Sequence, residues 1–152
     1  MTIDDRLNEL GITLPQAAAP VAAYVPVVIA GGLAHVSGQL PFVNGALAVT
    51  GKVGSDLQPD QASELAKVCA LNALAAIDDL VGLDAVLRVV KVVGYVASSP
   101  DFTGQPAVVN GASEFLGELF GDAGRHARSA VGVAVLPLNA PVEVELVVEV
   151  EA

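Results

Sequence analysis

The densest group of chemistry-bearing side chains lies in GRHARSAVGV, Gly124 to Val133, where Arg125, His126 and Arg128 fall within four residues. The whole chain has seven lysines and arginines and two histidines, against seventeen acidic residues. An arginine entering a strand can form a bidentate pair with the carboxylate of a small molecule, fixing position and plane together in a way lysine cannot. Downstream, Glu143, Glu145, Glu149 and Glu151 supply carboxylates. The competing reading is therefore a salt bridge within the chain between Arg125 or Arg128 and one of these glutamates. Composition alone favours the salt bridge.

Other chemistries leave weaker traces. His35, in LAHVSG, and His126 stand apart from any Cys/His cluster and show no zinc-ligand spacing, so no dedicated metal is expected. His35 alternates with Ala34 and Val36 and reads as a hydrogen-bonded structural residue. A Ser-His-Asp triad would need Ser37, Ser129 or another serine brought beside a histidine, and no nucleophile-elbow motif is present. The dinucleotide GxGxxG and the phosphate-binding GxxxxGK[ST] are also absent from the sequence. Cys69 is the single cysteine, which excludes an internal disulfide; its place in the helical pattern KVCALNALAAI reads as inert core.

These residues must be positioned by a small set of elements. Thr2 and Asp5, with Ile3, Leu7 and Leu10 at helical spacing and Gly11 beyond, predict a short capped helix. Pro15 to Pro20 reads as an extended linker. Tyr24 to Ala30 and Leu33 to Ser37 are apolar runs parted by Gly31-Gly32, a hairpin signal. Gly38 to Gly54, with Pro41 and Asn44-Gly45, reads as a loop or second hairpin. Pro59 to Leu80 is a long helix whose apolar face is Ala62, Leu65, Cys69, Ala73, Ala76, Ile77 and Leu80. Arg88 to Ala97 reads as a central strand, and Pro106 to Phe120 as a second long helix closed by Gly121. Ser129 to Val135 alternates valines with Ala130, Gly132 and Ala134, so one face admits close approach by a helix or a neighbouring subunit. Val142 to Glu151 places aliphatic residues on one face and glutamates on the other. The order predicts an α+β fold, a mixed six-stranded sheet with two helices packed on one face. The uncovered face is apolar enough to favour burial in a homo-oligomer.

Length and composition set the outer limits. One domain spans 1–152, with residues 1–20 as an N-terminal helix and extended segment, and 53% hydrophobic residues suffice for a core. A net charge of −10 repels nucleic acid and anionic lipid. No apolar run approaches the ~20 residues of a membrane span, and MTIDDRLNEL lacks the pattern of a signal peptide. The expectation is a soluble, cytoplasmic protein.

Two motifs resemble those of the Rid/YjgF family, also called the L-PSP family or "putative endoribonucleases". VSGQLP, Val36 to Pro41, is similar to the family's early strand-end motif, and ARSAVGVAVLPLNAPVEVE, Ala127 to Glu145, to its C-terminal signature. The order of elements between them agrees from about Tyr24 onward. The resemblance implies a two-layer, chorismate-mutase-like subunit assembled as a homotrimer, with ligand clefts between subunits. It also offers a reason for the small face of the Ser129 strand and the uncovered sheet face. In family deaminases the matching arginine, here Arg128, holds the carboxylate of a reactive enamine or imine acid such as 2-aminoacrylate. The matching glutamate, Glu143, positions water; Tyr24, Ser37, Gly38 and Asn110 match cleft-lining positions. Two departures are visible. Ala130 stands where many members carry cysteine, and the longer N-terminus and the GRHARSAVGV form resemble a separate branch.

The implied function is an enamine/imine deaminase, hydrolysing 2-imino acids to 2-keto acids and ammonia without metal or cofactor. The alternative is a non-catalytic trimer that binds or senses a small carboxylate. On either reading, Arg125 and His126 are expected to serve salt bridges between subunits rather than substrate. Endoribonuclease activity, the third possibility, sits poorly with the acidic charge balance.

Overall fold

The fold is that of a computed structural model describing residues 1–19 and 22–151. Ten regular elements follow in order: α1 (Ile3–Glu9), β1 (Val27–Ala30), β2 (Leu33–Val36), β3 (Phe42–Val43), β4 (Ala46–Leu47), α2 (Pro59–Val81), β5 (Val86–Ala97), α3 (Gln105–Phe120), β6 (Ala127–Val133) and β7 (Val142–Val150). Thr2 caps α1 in the predicted manner, its hydroxyl accepting from the Asp5 amide while the Asp5 carboxylate accepts from the Thr2 amide. Pro20, at the end of the expected linker, lies outside the described residues.

The main sheet has five strands in the order β1-β2-β7-β5-β6, not six. β3 and β4 pair only with each other, through an Asn44-Gly45 turn whose residues both take positive φ. Two-residue strands directly after Pro41 have too little backbone to extend the main ladder. β5 and β6 run parallel, joined by α3 as the crossover, and every other pairing is antiparallel.

β7 shows how the alternating sequence selects its faces. Val142, Val144, Leu146, Val148 and Val150 are buried beneath the helices, while Glu143 and Glu145 lie half-buried and Glu149 exposed on the opposite face. α2 buries Ala62, Ala66, Cys69, Ala70, Ala73, Leu74 and Ile77. The buried stripe is thus broader than the predicted face: Leu65 is partly covered, and Leu80, near the last turn of the helix, is exposed. Its alanines permit close approach. α3 lies so near that a Cβ on Gly111 would collide with the Ser63 carbonyl, and one on Gly94 of β5 would collide with Val109. Two glycines therefore fix the seat of α3 against α2 and β5.

The small face of β6 is already occupied. Ala130 and Gly132 pair with Gly94 and Val96, whose positions face the helix layer, and a Cβ on Gly132 would stand 2.7 Å from Gln105 Nε2. Within the protomer, the close approach allowed by these residues is made by Gln105 at the start of α3. The open sheet face is mixed rather than uniformly apolar: exposed Val28 and Val131 share it with His35, Lys91, Glu143 and Glu145.

Candidate functional site

Arg128 lies on β6, an edge strand, directly opposite buried Val92. Its side chain consequently leaves the sheet on the helix side, where α3 presents Asn110 and, one turn later, Ser113. Arg128 Nη1 donates to Asn110 Oδ1 at 2.7 Å and to Ser113 Oγ at 3.3 Å. Ser113 Oγ is also 2.8 Å from His126 Nε2, and the other ring nitrogen, Nδ1, is 2.6 Å from the Gly124 carbonyl oxygen. The two direct partners of Arg128, Asn110 and Ser113, are uncharged side chains.

The expected salt bridges are not formed. Among the described residues the one ion pair within 4.0 Å is Arg6–Glu9. Arg125 is exposed, and its carbonyl accepts from Arg88 Nη2 at 3.4 Å. The glutamates of β7 cannot reach Arg128 because β5 intervenes and their side chains occupy the other face of the sheet. Both ring nitrogens of His126 have hydrogen-bond partners within the protomer.

A second cluster surrounds Glu143. Gln39 and Val144 exchange backbone hydrogen bonds of 2.8 and 3.0 Å, which bring Gly38 against the Glu143 side chain. A Cβ on Gly38 would fall 2.5 Å from Glu143 Oε1, so any side chain there would displace the carboxylate from this position. Ser37 closes the chain behind it: its hydroxyl donates to Val25 O at 2.8 Å, and its amide to Pro26 O at 2.8 Å. Tyr24, exposed and next in sequence to Val25, stands at the margin of this cluster. Burial, reinforced by the negative charge of Glu145, pushes the Glu143 carboxyl above its ordinary range. Glu145 accepts from Tyr95 Oη at 2.7 Å, which helps push the phenol up to about 12.

The six residues expected at a site therefore fall into two sets within a protomer. Arg128 and Asn110 meet at the β6–α3 edge; Glu143, Gly38 and Ser37 meet beside β7, with Tyr24 nearby. Their separation is decisive for chemistry. β6 and β7 flank β5, which puts them about 10 Å apart at ordinary strand spacing. Because the two side chains also leave opposite faces, a three- or four-carbon acid held by Arg128 cannot touch Glu143 of the same protomer.

Ser113 and Tyr95 are additions that the sequence reading missed. Asn110 and Ser113 occur three residues apart in an otherwise largely apolar helix, which was the available signal for a polar contact. His35 lines a shallow cleft with Lys91 and Glu145 and is exposed, so the expected hydrogen-bonded structural role is not seen among the described residues. Cys69 is fully buried, with Sγ 3.7 Å from the Val142 carbonyl, and burial pushes its thiol far up, as suits inert core. The described residues contain no group of three or more metal-ligating side chains. Among the described residues, no helix is long and apolar enough to cross a membrane.

Comparison with known proteins agrees with this architecture. Residues 4–150 match the family described as "YjgF/chorismate mutase-like, putative endoribonuclease". Protein TCP17 of Trypanosoma cruzi is 48% identical over 145 residues, spanning 94% of this chain and 91% of that protein. The 2-iminobutanoate/2-iminopropanoate deaminase of Dermatophagoides farinae is 33% identical over 141 residues, spanning 92% and 95%. Among solved structures, Atu1372 of Agrobacterium tumefaciens, described as of unknown function, superposes with a TM-score of 0.91 at 48% identity, covering 98% of this chain and 92% of that one.

Proposed function

Because the chain belongs to the YjgF/chorismate mutase-like family, we propose that it is an enamine/imine deaminase, converting small 2-imino acids to 2-keto acids and ammonia. The observation that carries this reading is the state of Arg128. Its Nη1 is anchored by neutral partners, while Nε and Nη2 have no acceptor among the described residues. Those two nitrogens form the side-on fork that binds a carboxylate in two parallel hydrogen bonds. The relative from Dermatophagoides farinae, named for two imino acids, supplies the substrate class.

We further propose that the clefts lie between the protomers of a homotrimer. A neighbouring copy would place its Glu143, Gly38, Ser37 and Tyr24 opposite the Arg128 and Asn110 of the first. That arrangement unites two groups which one protomer holds apart. In the cleft, the arginine fixes the carboxylate so that the C=N carbon faces a water held by Glu143. The carboxylate takes a proton as water adds to the iminium carbon, giving a tetrahedral amino alcohol. The same carboxyl returns the proton to nitrogen and then, as carboxylate, takes the hydroxyl proton while the C–N bond breaks, so that ammonia leaves as C=O forms and carries the proton away as ammonium. A glutamate with a raised pKa suits both the acceptance and the return. No metal or cofactor enters the sequence of steps.

The decisive experiment follows imines generated in situ from several amino acids and compares the wild type with Arg128→Ala. Acceleration that disappears in the variant supports the deaminase. The second reading, a trimer that binds a carboxylate without turning it over, is favoured by the same upward shift of Glu143 if the carboxyl stays protonated in the cleft. It predicts saturable binding of a 2-keto acid with no imine hydrolysis at any pH where the fold persists. RNA cleavage is disfavoured by the charge of −10.

A further inference from the structure

The GRHARS segment contains a second device behind Arg128, built from His126 and Ser113. The direction of each hydrogen bond follows from what each atom is able to do. The Gly124 carbonyl only accepts, so His126 Nδ1, 2.6 Å away, must carry the proton. A neutral imidazole protonated at Nδ1 has its lone pair at Nε2, and the Ser113 hydroxyl 2.8 Å away must donate to it. The lone pairs of Ser113 Oγ are then free to accept, and Arg128 Nη1 donates from 3.3 Å. Asn110 Oδ1 takes the second Nη1 hydrogen at 2.7 Å. Both hydrogens of Nη1 are thus accounted for, and the guanidinium can turn only by breaking a bond.

The two ends of this chain are held by close packing. Gly124 is buried, and a Cβ there would collide with the Leu116 carbonyl, so the backbone carrying the carbonyl that fixes His126 is packed closely against α3. Gly111, between Asn110 and Ser113, is pressed onto the Ser63 carbonyl of α2. Neither the histidine's anchor nor the helix carrying the two Arg128 acceptors has room to shift.

We propose that Ser113 and His126 are positioning residues, forming a one-directional relay that sets the plane of the Arg128 guanidinium and so the affinity of the site for a small carboxylate. The relay rests on the reading of Arg128 as the carboxylate clamp, but its orientation is testable without any ligand. In this relay the imidazole is a spacer of fixed tautomer and takes no part in proton transfer. The serine has its oxygen turned toward the guanidinium, so it serves as an acceptor rather than as a nucleophile.

Nitrogen-15 NMR on the full chain tests the polarity directly: long-range correlations should show His126 protonated at Nδ1 and bare at Nε2 at neutral pH. Protonation at Nε2 would reverse the relay and sink the proposal. The Arg128 Nε–H order parameter should fall in Ser113→Ala and His126→Ala and recover in Ser113→Thr, which keeps the hydroxyl; unchanged order in both alanine variants would overturn it. With 2-oxobutanoate as the calorimetric probe, each alanine variant should bind about tenfold more weakly. The double variant should bind no more weakly than either single one, because both cut the same chain. In imine turnover the loss should fall on KM, with kcat changed by less than about twofold. Additive losses, or a loss confined to kcat, would count against positioning. If the wild type neither binds the probe nor hydrolyses imines, the proposed function fails, while the relay still stands or falls on the tautomer and on Arg128 order.

Discussion

The two halves of the candidate site are finished in opposite ways. At the β6–α3 edge, Arg128 has neutral hydrogen-bond partners on one of its nitrogens and, among the described residues, no carboxylate to neutralise it. Beside β7, Glu143 is half-buried, with Glu145 repelling it and no cation paired to it among the described residues. The first half is thus a charge held in place without being cancelled; the second is a charge made costly to carry. An enzyme that clamps an anion needs the former arrangement, and one that moves protons near neutral pH needs the latter. The difference teaches that the acidic protein concentrates cations in GRHARS for position rather than for pairing.

The comparison breaks most sharply at the clamp. Arg128→Ala should lower kcat/KM for imine hydrolysis about a thousandfold, through loss of two charge-assisted hydrogen bonds. Arg128→Lys should restore little of it, since an ammonium cannot supply the planar fork. A lysine variant with wild-type activity would reduce the arginine to a general positive field. At the other half, Glu143→Gln should lower kcat about a hundredfold, the ordinary worth of a positioned acid/base group, with little change in KM. The same substitution should raise the melting temperature at neutral pH. A carboxyl whose folded pKa lies above its unfolded value stabilises the fold fully below the unfolded value and loses that contribution as pH rises through the folded one. Glutamine removes the burdened charge, so its advantage should vanish in acid; a lower melting temperature at neutral pH would contradict the burial assigned to Glu143.

Joining the two variants tests the spatial argument. Co-expressed Arg128→Ala and Glu143→Gln chains, each with about a hundredth of wild-type activity or less alone, should regain about a quarter of it if each cleft takes its arginine from one protomer and its glutamate from the next in randomly mixed trimers. Complete inactivity of well-folded mixed oligomers would show that both groups are needed from one chain, against the opposite faces they occupy in the protomer.

How much of this was legible beforehand depended on whether the information was local. The Gly31-Gly32 hairpin, the capping of α1 by Thr2 and Asp5, and the two faces of β7 are local patterns, and the structure reproduces them. The sixth strand was not real because an Asn-Gly turn specifies a hairpin but says nothing of whether that hairpin joins the sheet. The face of β6 was harder still: small alternating residues promise close approach without naming the partner, which proved to be the chain's own Gln105 and α3. Arg128 was legible from a rare charge in a poor background. Ser113 was not, since a serine within a helix gains its meaning only from the strand laid beside it, and the Tyr95–Glu145 pair likewise joins residues fifty positions apart. His126 drew attention by type, but the Gly124 carbonyl that fixes its tautomer has no side-chain signature.

The smallest effect sharpens the acidic half. Glu145 has two roles on the open face: its charge raises Glu143, and its Oε1 accepts from Tyr95 at 2.7 Å. Glu145→Gln keeps an acceptor for the phenol while removing the charge. If Glu143 acts as the base, activity requires its ionised form, so the acid limb of the pH–kcat/KM profile should lie above the ordinary glutamate value of 4.5 and move to lower pH in this variant. Burial persists as the larger cause, so the limb should stay above 4.5. Tyrosinate absorbance supplies an independent control: the phenol held up to about 12 should titrate at lower pH once the charge beside it is gone. A shifted phenol with an unmoved acid limb would assign that limb to some group other than Glu143, and would leave the β7 cluster as a binding wall instead of the proton-transfer half.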